Sequence, residues 1–286
     1  MSSDKAFLEL QGVHKAFGGN VALRDVDLRV RRSEVHALIG ENGAGKSTLM
    51  KILSGAYTPD AGTIYLDGQE VDIESPLQGR EMGIAMIYQE LNLAPHMTVE
   101  QNLELGRERT TCGIVRPRRN DIQEVMDLMG HQDLPLDTQV RRLSPGKQQV
   151  VEIARALLSD ARVIIMDEPT SSLSAADAEA LFSLIGNLRE AGYSIIYISH
   201  FLEEAQEVAD RYTVLRDGER AGTGRIENTS EPELIRLMIG QSLDEMFPEV
   251  ENEPGGVCLK AGDLQGEVPS DVNFNLRRGE ILGIAG

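Results

Sequence analysis

Apolar and polar positions alternate differently in different parts of this 286-residue chain. Strand-like stretches fall at 6–13, 22–30, 34–39, 63–66, 84–87, 163–166, 194–199 and 211–216, and the first third is mostly strand and turn. Helical periodicity falls near 45–54, 119–129, 145–158, 174–190 and 201–208. Three strands, "VHALIG", "RVIIMD" and "YSIIYIS", are apolar without alternation. Such runs suit parallel strands covered on both faces. Residues from about 90 to 160 carry mostly helix and no convincing strand. The pattern predicts an α/β core with a small β region at its start and a helical insert in its middle. From about 241 the texture changes: "QSLDEMFPEVENEPGG" is acidic, contains two prolines and ends on paired glycines. It reads as a linker over 241–256.

Composition narrows the class. Apolar residues make up 41% and charged residues 26%, as in a globular protein with a sizeable core. The net charge of -18 opposes nonspecific binding to nucleic acid or anionic lipid. No apolar run approaches the roughly 20 residues that span a bilayer, and "MSSDKAFLEL" lacks the pattern of a signal peptide. Cys112 and Cys258 stand far apart in no metal-binding spacing, so free thiols of a cytoplasmic protein are expected.

The candidate chemistry begins at "GENGAGKST", which fits G-x-x-x-x-G-K-[ST] between an apolar strand and a helix. Gly40, Glu41, Asn42, Gly43, Ala44, Gly45, Lys46, Ser47 and Thr48 form this segment. Its glycines let the backbone curl into a nest of N–H donors, and the helix that follows points its positive end at the same anion. Lys46 can then reach β- and γ-phosphates, and Ser47 can ligate Mg²⁺. "RVIIMDEPTSS" supplies the acidic strand end that such a loop needs. Ligands of parallel sheets sit beyond the carboxyl ends of strands, which gives Asp167 to the metal and Glu168 to the attacking water. Gln89 and His200 end two further strands and would face the γ-phosphate region.

The stretch "RRLSPGKQQVVEIARALLSDARVIIMDEPTSSLS" resembles that of ABC-type ATPases, and the chain from about 5 to 240 is most similar to the ATP-binding subunits of bacterial monosaccharide importers. The resemblance implies a P-loop NTPase (RecA-like) core with an N-terminal antiparallel β subdomain and a helical insert at about 90–160. It implies that Phe17 stacks on adenine and that Gln89 joins the nucleotide and its metal to a transmembrane partner. Asp167 and Glu168 would be the Walker B aspartate and catalytic glutamate, and His200 the switch histidine. The signature segment "LSPGK" departs from LSGGQ, yet Ser144 is a good N-cap and Pro145 fits the first helical position. Ser144 and the Gly146 amide would then meet ATP held by a second cassette. Lys147 replaces a neutral glutamine, opposes the helix dipole and adds a cation near that phosphate. Ser174 stands where many ABC proteins carry aspartate. The basic "VRPRRN", 115–120, reads as a solvated helix start.

What the resemblance implies is an ATPase using ATP and Mg²⁺, paired with a second cassette and seated on membrane permease subunits at the cytoplasmic face of the inner membrane. A solute-binding protein would act only indirectly, and no nucleic acid is expected. The alternatives are a tandem-cassette ATPase of the translation-factor type, an importer of nucleosides, and a non-hydrolysing nucleotide binder. The first usually has a long basic linker, whereas this one is short and acidic; the last is disfavoured by Lys46, Asp167, Glu168 and His200.

The chain also repeats itself. At an offset of 246, "DVDL" from Asp25 meets "DVNF" from Asp271, Arg31 and Arg32 meet Arg277 and Arg278, and Gly40 meets Gly286. Residues 257–286 therefore read as the truncated start of a second cassette, with those beyond about 245 expected to pack poorly.

Overall fold

The computed structural model describes residues 5–106, 109–111, 114–116, 119–240, 255–266 and 271–284. The chain divides into two compact units, Met1–Gln241 and Ser242–Gly286. In the first, β1 (Ala6–Phe17) and β2 (Asn20–Arg31) form a long antiparallel pair. Next come β3 (Val35–Ile39), α1 (Lys46–Leu53), β4 (Ala61–Leu66) and β5 (Gln69–Val71). Strands β2-β1-β4-β5 make an antiparallel sheet. Its inner face, with Leu8, Leu10, Val26, Leu28 and Val30, packs with Leu49, Met50 and Leu53 of α1 in one core.

Downstream lie α2 (Pro76–Glu81), β6 (Ile84–Ile87), α3 (Val99–Glu104), β7 (Arg109–Thr111), β8 (Ile114–Arg116), α4 (Arg119–Met129) and α5 (Pro145–Leu157). The unit closes with β9 (Val163–Asp167), α6 (Ala175–Glu190), β10 (Ser194–Ser199), α7 (Leu202–Val208), β11 (Arg211–Arg216), β12 (Glu219–Arg225) and α8 (Glu231–Ile239). The second sheet runs β12-β11-β3-β10-β9-β6, parallel except for the antiparallel edge strand β12. Every residue of β3 and β10 is buried, which is why these strands show no alternation. Each buried Val, Leu or Ile contributes about 1.5–3 kcal/mol.

His36 is the polar exception in β3. Its Nδ1 lies 2.9 Å from Glu34 Oε1 and its Nε2 2.9 Å from Thr213 Oγ1, so burial leaves neither nitrogen without a partner. The core over α3, α4, α5 and α6 contains Val99, Leu103, Ile122, Met126, Val151, Ala154, Leu184 and Ile185. The α/β class, the β region at the start and the helical middle are all present.

Several sequence expectations need correction. The 90–160 region does contain strand: β7 and β8 pair as a short antiparallel hairpin. Part of "VRPRRN" belongs to β8 rather than to a helix start. Among the described residues of that segment, Arg119 and Asn120 begin α4, and the Arg119 guanidinium pairs with Glu100 at 2.7 Å, tying α4 to α3. Strands β5 and β12 and helices α2, α3 and α8 were not expected. Strand β5 and helices α2 and α3 are short, β12 is held by its pairing with β11, and α8 carries a helical apolar stripe, with Leu234 and Met238 buried, that the sequence reading passed over. The Thr98 hydroxyl accepts the Gln101 N–H while the Gln101 side chain accepts the Thr98 N–H, a complete capping box for six-residue α3.

The second unit is described over β13 (Val257–Leu264) and β14 (Val272–Arg277), an antiparallel hairpin. It copies β1–β2 in detail. Leu264 faces Val272 as Val13 faces Val26, Ala261 faces Phe274 as Leu10 faces Leu28, and the irregularities fall at the same places. Asp263 and Asp271 have positive φ where Gly12 and Asp25 do. The Asp263 N–H donates to Asn273 Oδ1 at 2.9 Å, as the Gly12 N–H does to Asp27 Oδ1. The offset of 246 holds for the second strand only; the first strand is shifted by five more residues, because seven residues separate Leu264 from Val272 where twelve separate Val13 from Val26. Leu259 is 51% exposed although its counterpart Leu8 is wholly buried, so this hairpin's apolar positions are poorly covered. Cys258 is free and exposed. Cys112, and the proposed linker up to residue 254, lie outside the described residues.

Candidate functional site

Gly40 to Thr48 leaves the carboxyl end of β3 and enters α1, as glycine content and helix pattern predict. Gly43 and Gly45 hold φ of 86° and 103°, so the loop needs residues without a Cβ. Gly45 is pressed from the side as well: a Cβ there would lie 2.7 Å from Leu23 Cδ2 and 2.8 Å from the Ala22 carbonyl. The loop is clamped further by the Gly218 N–H donating to the Ala44 carbonyl and the Arg24 N–H to the Gly218 carbonyl. A cavity of about 370 Å³ opens over it, lined by Asn42, Gly43 and Gly45 to Thr48 of the loop, and by Gln89, Asp167 and Glu168.

Lys46 is buried, and its ammonium donates to the carbonyls of Gly40 (2.6 Å) and Glu41 (3.1 Å). Burial lowers its pKa, opposed by the charges of Glu168, Asp167 and Glu41. Asp167, the last residue of β9, has its pKa raised first by burial and then by neighbouring Glu168, while Lys46 and Lys51 pull it down. Carboxylates, a hydroxyl (Ser47) and an amide (Gln89) thus share one cavity with an excess of negative charge on its acidic side. These are hard oxygen donors, few in number, as a largely hydrated Mg²⁺ requires. No cluster of three or more His, Cys, Asp or Glu suited to a metal occurs among the described residues.

Glu168 carries φ of 44°, a left-handed conformation for a residue with a side chain. Its N–H donates to the Ile198 carbonyl at 3.0 Å, and its Oε1 lies 2.9 Å from His200 Nδ1. The ends of β9 and β10 therefore meet through backbone and side chain together. Gln89 follows β6 by two residues and reaches the same cavity.

Other sequence candidates lie apart from it. Phe17 is 43% exposed at the end of β1, outside the lining of the cavity, with its ring edge-on to Tyr57 at 5.2 Å. Tyr57 was not singled out from the sequence. Gly40 and Glu41 also stay out of the lining, as backbone acceptors for Lys46. Ala44 is buried beneath the loop. Ser144 caps α5 by accepting the Lys147 N–H at 3.4 Å, and neither it nor Gly146 lines the cavity of its own chain. Asp177 of α6 packs across Gly146, where any Cβ would overlap its carboxylate. That carboxylate accepts the Ser174 hydroxyl at 2.7 Å, so Ser174 caps α6 and fixes the contact. A larger hollow, about 600 Å³, lies at the amino ends of the strands beside Ser33 and Asp210. Its walls carry ion pairs such as Arg32–Asp67 and Arg189–Asp210, away from the loop chemistry.

Residues 23–171 match the family model described as ABC transporter. A putative ribose/galactose/methyl galactoside import ATP-binding protein of Ralstonia nicotianae is 46% identical over 289 residues, which cover 100% of this chain and 56% of that protein. A ribose import ATP-binding protein of Streptomyces coelicolor is 46% identical, over 99% of this chain and 55% of its own length. The chain thus spans a little over half the length of the curated relatives it matches. Among solved structures, a nucleotide-free ATP-binding cassette from an ABC transporter aligns with a TM-score of 0.73 at 26% identity, over 83% of this chain and 100% of its own. A dimeric cassette in a post-hydrolysis state, bound to ADP and Pi, aligns at 0.65 and 26%, over 78% of this chain and 100% of its own. With more than half of its residues inside the family model and its fold shared with solved cassettes, the chain belongs to the ABC transporter family.

Proposed function

We propose that this chain is the ATP-hydrolysing cassette of an importer, driving uptake of a monosaccharide of the ribose and galactose kind. One observation carries the reading: phosphate-loop amides, Lys46, Asp167, Glu168 and Gln89 converge on one cavity, with His200 bonded to Glu168. The loop amides and the start of α1 bind the phosphates of ATP, the substrate, and Lys46 exchanges its carbonyl partners for phosphate oxygens. Ser47, Asp167 and Gln89 would hold Mg²⁺, which when bound would neutralise charge on the phosphates. Glu168 orients the attacking water and accepts its proton, and His200 holds Glu168 in place. Phe17 offers its exposed ring to adenine.

Hydrolysis needs a second cassette in this reading, because Ser144 and Gly146 stand away from their own chain's cavity. The dimeric relative bound to ADP and Pi supports that arrangement. The import proteins among the relatives support a permease partner, and a cleft of about 350 Å³ beside Tyr88, Asn92 and Arg155 offers a docking surface next to Gln89. No helix among the described residues is long and apolar enough to cross a membrane; in this reading the cassette sits on the permease's cytoplasmic face. Calorimetry with Mg-ATP tests the reading. The chain should bind, and Lys46→Ala should weaken affinity by at least about ten-fold, the loss of one charge-assisted hydrogen bond or more. Equal affinity in the variant would refute the site.

A further inference from the structure

Glu204, in the first turn of α7, has no part in the chemistry above, yet it gathers both acidic-strand and histidine segments. Its Oε1 accepts the Thr170 hydroxyl at 2.6 Å. Its Oε2 accepts the Tyr197 hydroxyl at 2.9 Å and the Ser199 hydroxyl at 2.8 Å. Thr170 stands two residues after Glu168, and Ser199 immediately precedes His200. The Ser199 oxygen in turn accepts the Phe201 N–H at 2.9 Å, which bends the chain around His200. We infer that Glu204 is a positioning residue for hydrolysis: one carboxylate fixes both backbone segments whose side chains, Glu168 and His200, must meet.

The chemistry suits the task. Three hydroxyl donors satisfy the carboxylate, and no cation is bonded to it in the described contacts. Fixed hydroxyls hold geometry better than a long flexible cationic side chain would: Thr170 and Ser199 carry theirs on short stems at a turn and a strand end, and Tyr197 carries its own on a rigid buried ring. Tyr197 is fully buried in β10, and burial together with Glu204 pushes its pKa up, so it remains a donor at any working pH. Glu168 needs such support. Its left-handed backbone persists only where the surroundings enforce it, and the β9–β10 clamp is continuous with the Glu204 contacts.

This inference rests on the proposed ATPase reading, and its test is chosen so that the two can fail separately. Turnover and Mg-ATP affinity are measured on the full-length protein for wild type, Glu204→Ala, Glu204→Gln, Thr170→Val, Ser199→Ala and the double variant of the last two. Misplacing reacting groups by about 1 Å costs on the order of 100-fold in rate. Glu204→Ala should therefore lose about that factor in kcat, with ATP affinity within about two-fold of wild type. Glu204→Gln, which keeps one acceptor oxygen, should lose roughly ten-fold, and it carries the test if the alanine variant does not accumulate. Thr170→Val and Ser199→Ala should combine non-additively, the double variant being no slower than Glu204→Ala, since both act through one carboxylate. Unchanged kcat in the Glu204 variants overturns the inference. So does a parallel loss of ATP affinity, which would mark general disruption of the fold. A wild-type chain that neither binds nor hydrolyses ATP would instead sink the ATPase reading.

Discussion

Replacing Gly45 by alanine tests how tightly the phosphate loop is built. The backbone there sits at φ 103° and ψ -3°, well outside the left-handed basin centred near φ of about +57°. Holding a residue with a Cβ in that region costs roughly 1–3 kcal/mol. The new methyl would also press on buried Leu23 and the Ala22 carbonyl, at 2.7 and 2.8 Å. Overpacking of that kind costs a further 1–3 kcal/mol or so. Against this stands about 0.4–1 kcal/mol from the stiffer unfolded chain. Strain wins, and the net loss should be roughly 2–5 kcal/mol. With a urea slope of about 2–3 kcal/mol/M, the unfolding midpoint followed by circular dichroism should fall by about 1–2 M. Gly43 supplies the control: its φ is also positive, at 86°, but a Cβ would meet nothing within 4 Å. Gly43→Ala should therefore cost only the backbone part, about 1–2 kcal/mol. Equal midpoints for the two variants, or no shift for Gly45→Ala, would refute the argument.

Two further outcomes follow from the same geometry. Gly146→Ala gains about 0.5–1 kcal/mol of helix propensity and loses a comparable hydrogen bond as Asp177 is displaced from Ser174, so stability should stay within about 1 kcal/mol. Turnover of the assembled cassettes should nonetheless fall by roughly ten-fold as the start of α5 shifts; unaltered turnover would show that the Asp177 contact does not position that helix. Asp167→Asn should raise the urea midpoint of the nucleotide-free chain at neutral pH. The Asp167 pKa is raised in the folded state by burial and Glu168, so the native chain holds its proton longer, and stability falls as pH rises from the unfolded value through the folded one. The advantage of asparagine should be largest above that window and shrink on acidification through it; a midpoint difference independent of pH between 4 and 7 would contradict the assignment.

What the sequence revealed about the site, and what it concealed, divides along physical lines. The phosphate loop was legible because its glycines, lysine and following helix sit within nine residues, and the backbone need they express is local. The unalternating strands were legible because full burial on both faces leaves no polar position to read. His36 broke the pattern; Glu34 is two residues away, but its other partner, Thr213, could not be guessed at a separation of 177 residues. Glu204 was not singled out, being one of several acids in the helical stretch 201–208. Its meaning comes from Thr170, 34 residues distant, which only the adjacency of β9 and β10 brings within reach. Asp177 and Gly146 are joined in the same way, by the packing of α6 against α5. The β7–β8 hairpin escaped because three-residue strands carry no period. For α3 the signal was present but of another kind: Thr98 and Gln101 announced a capped helix start that a search for periodicity passes over.

The central claim is that Glu168, steadied by His200, activates water in a cavity that the phosphate loop makes for ATP. Single-turnover hydrolysis by assembled cassettes carrying Glu168→Gln, measured beside their Mg-ATP affinity, tests this most directly. Glutamine preserves size and leaves the loop, Lys46 and Asp167 in place, so affinity should remain within about two-fold of wild type. The loss of the base should lower the hydrolysis rate by about 100-fold or more. Hydrolysis near the wild-type rate, with ATP still bound, would contradict the account.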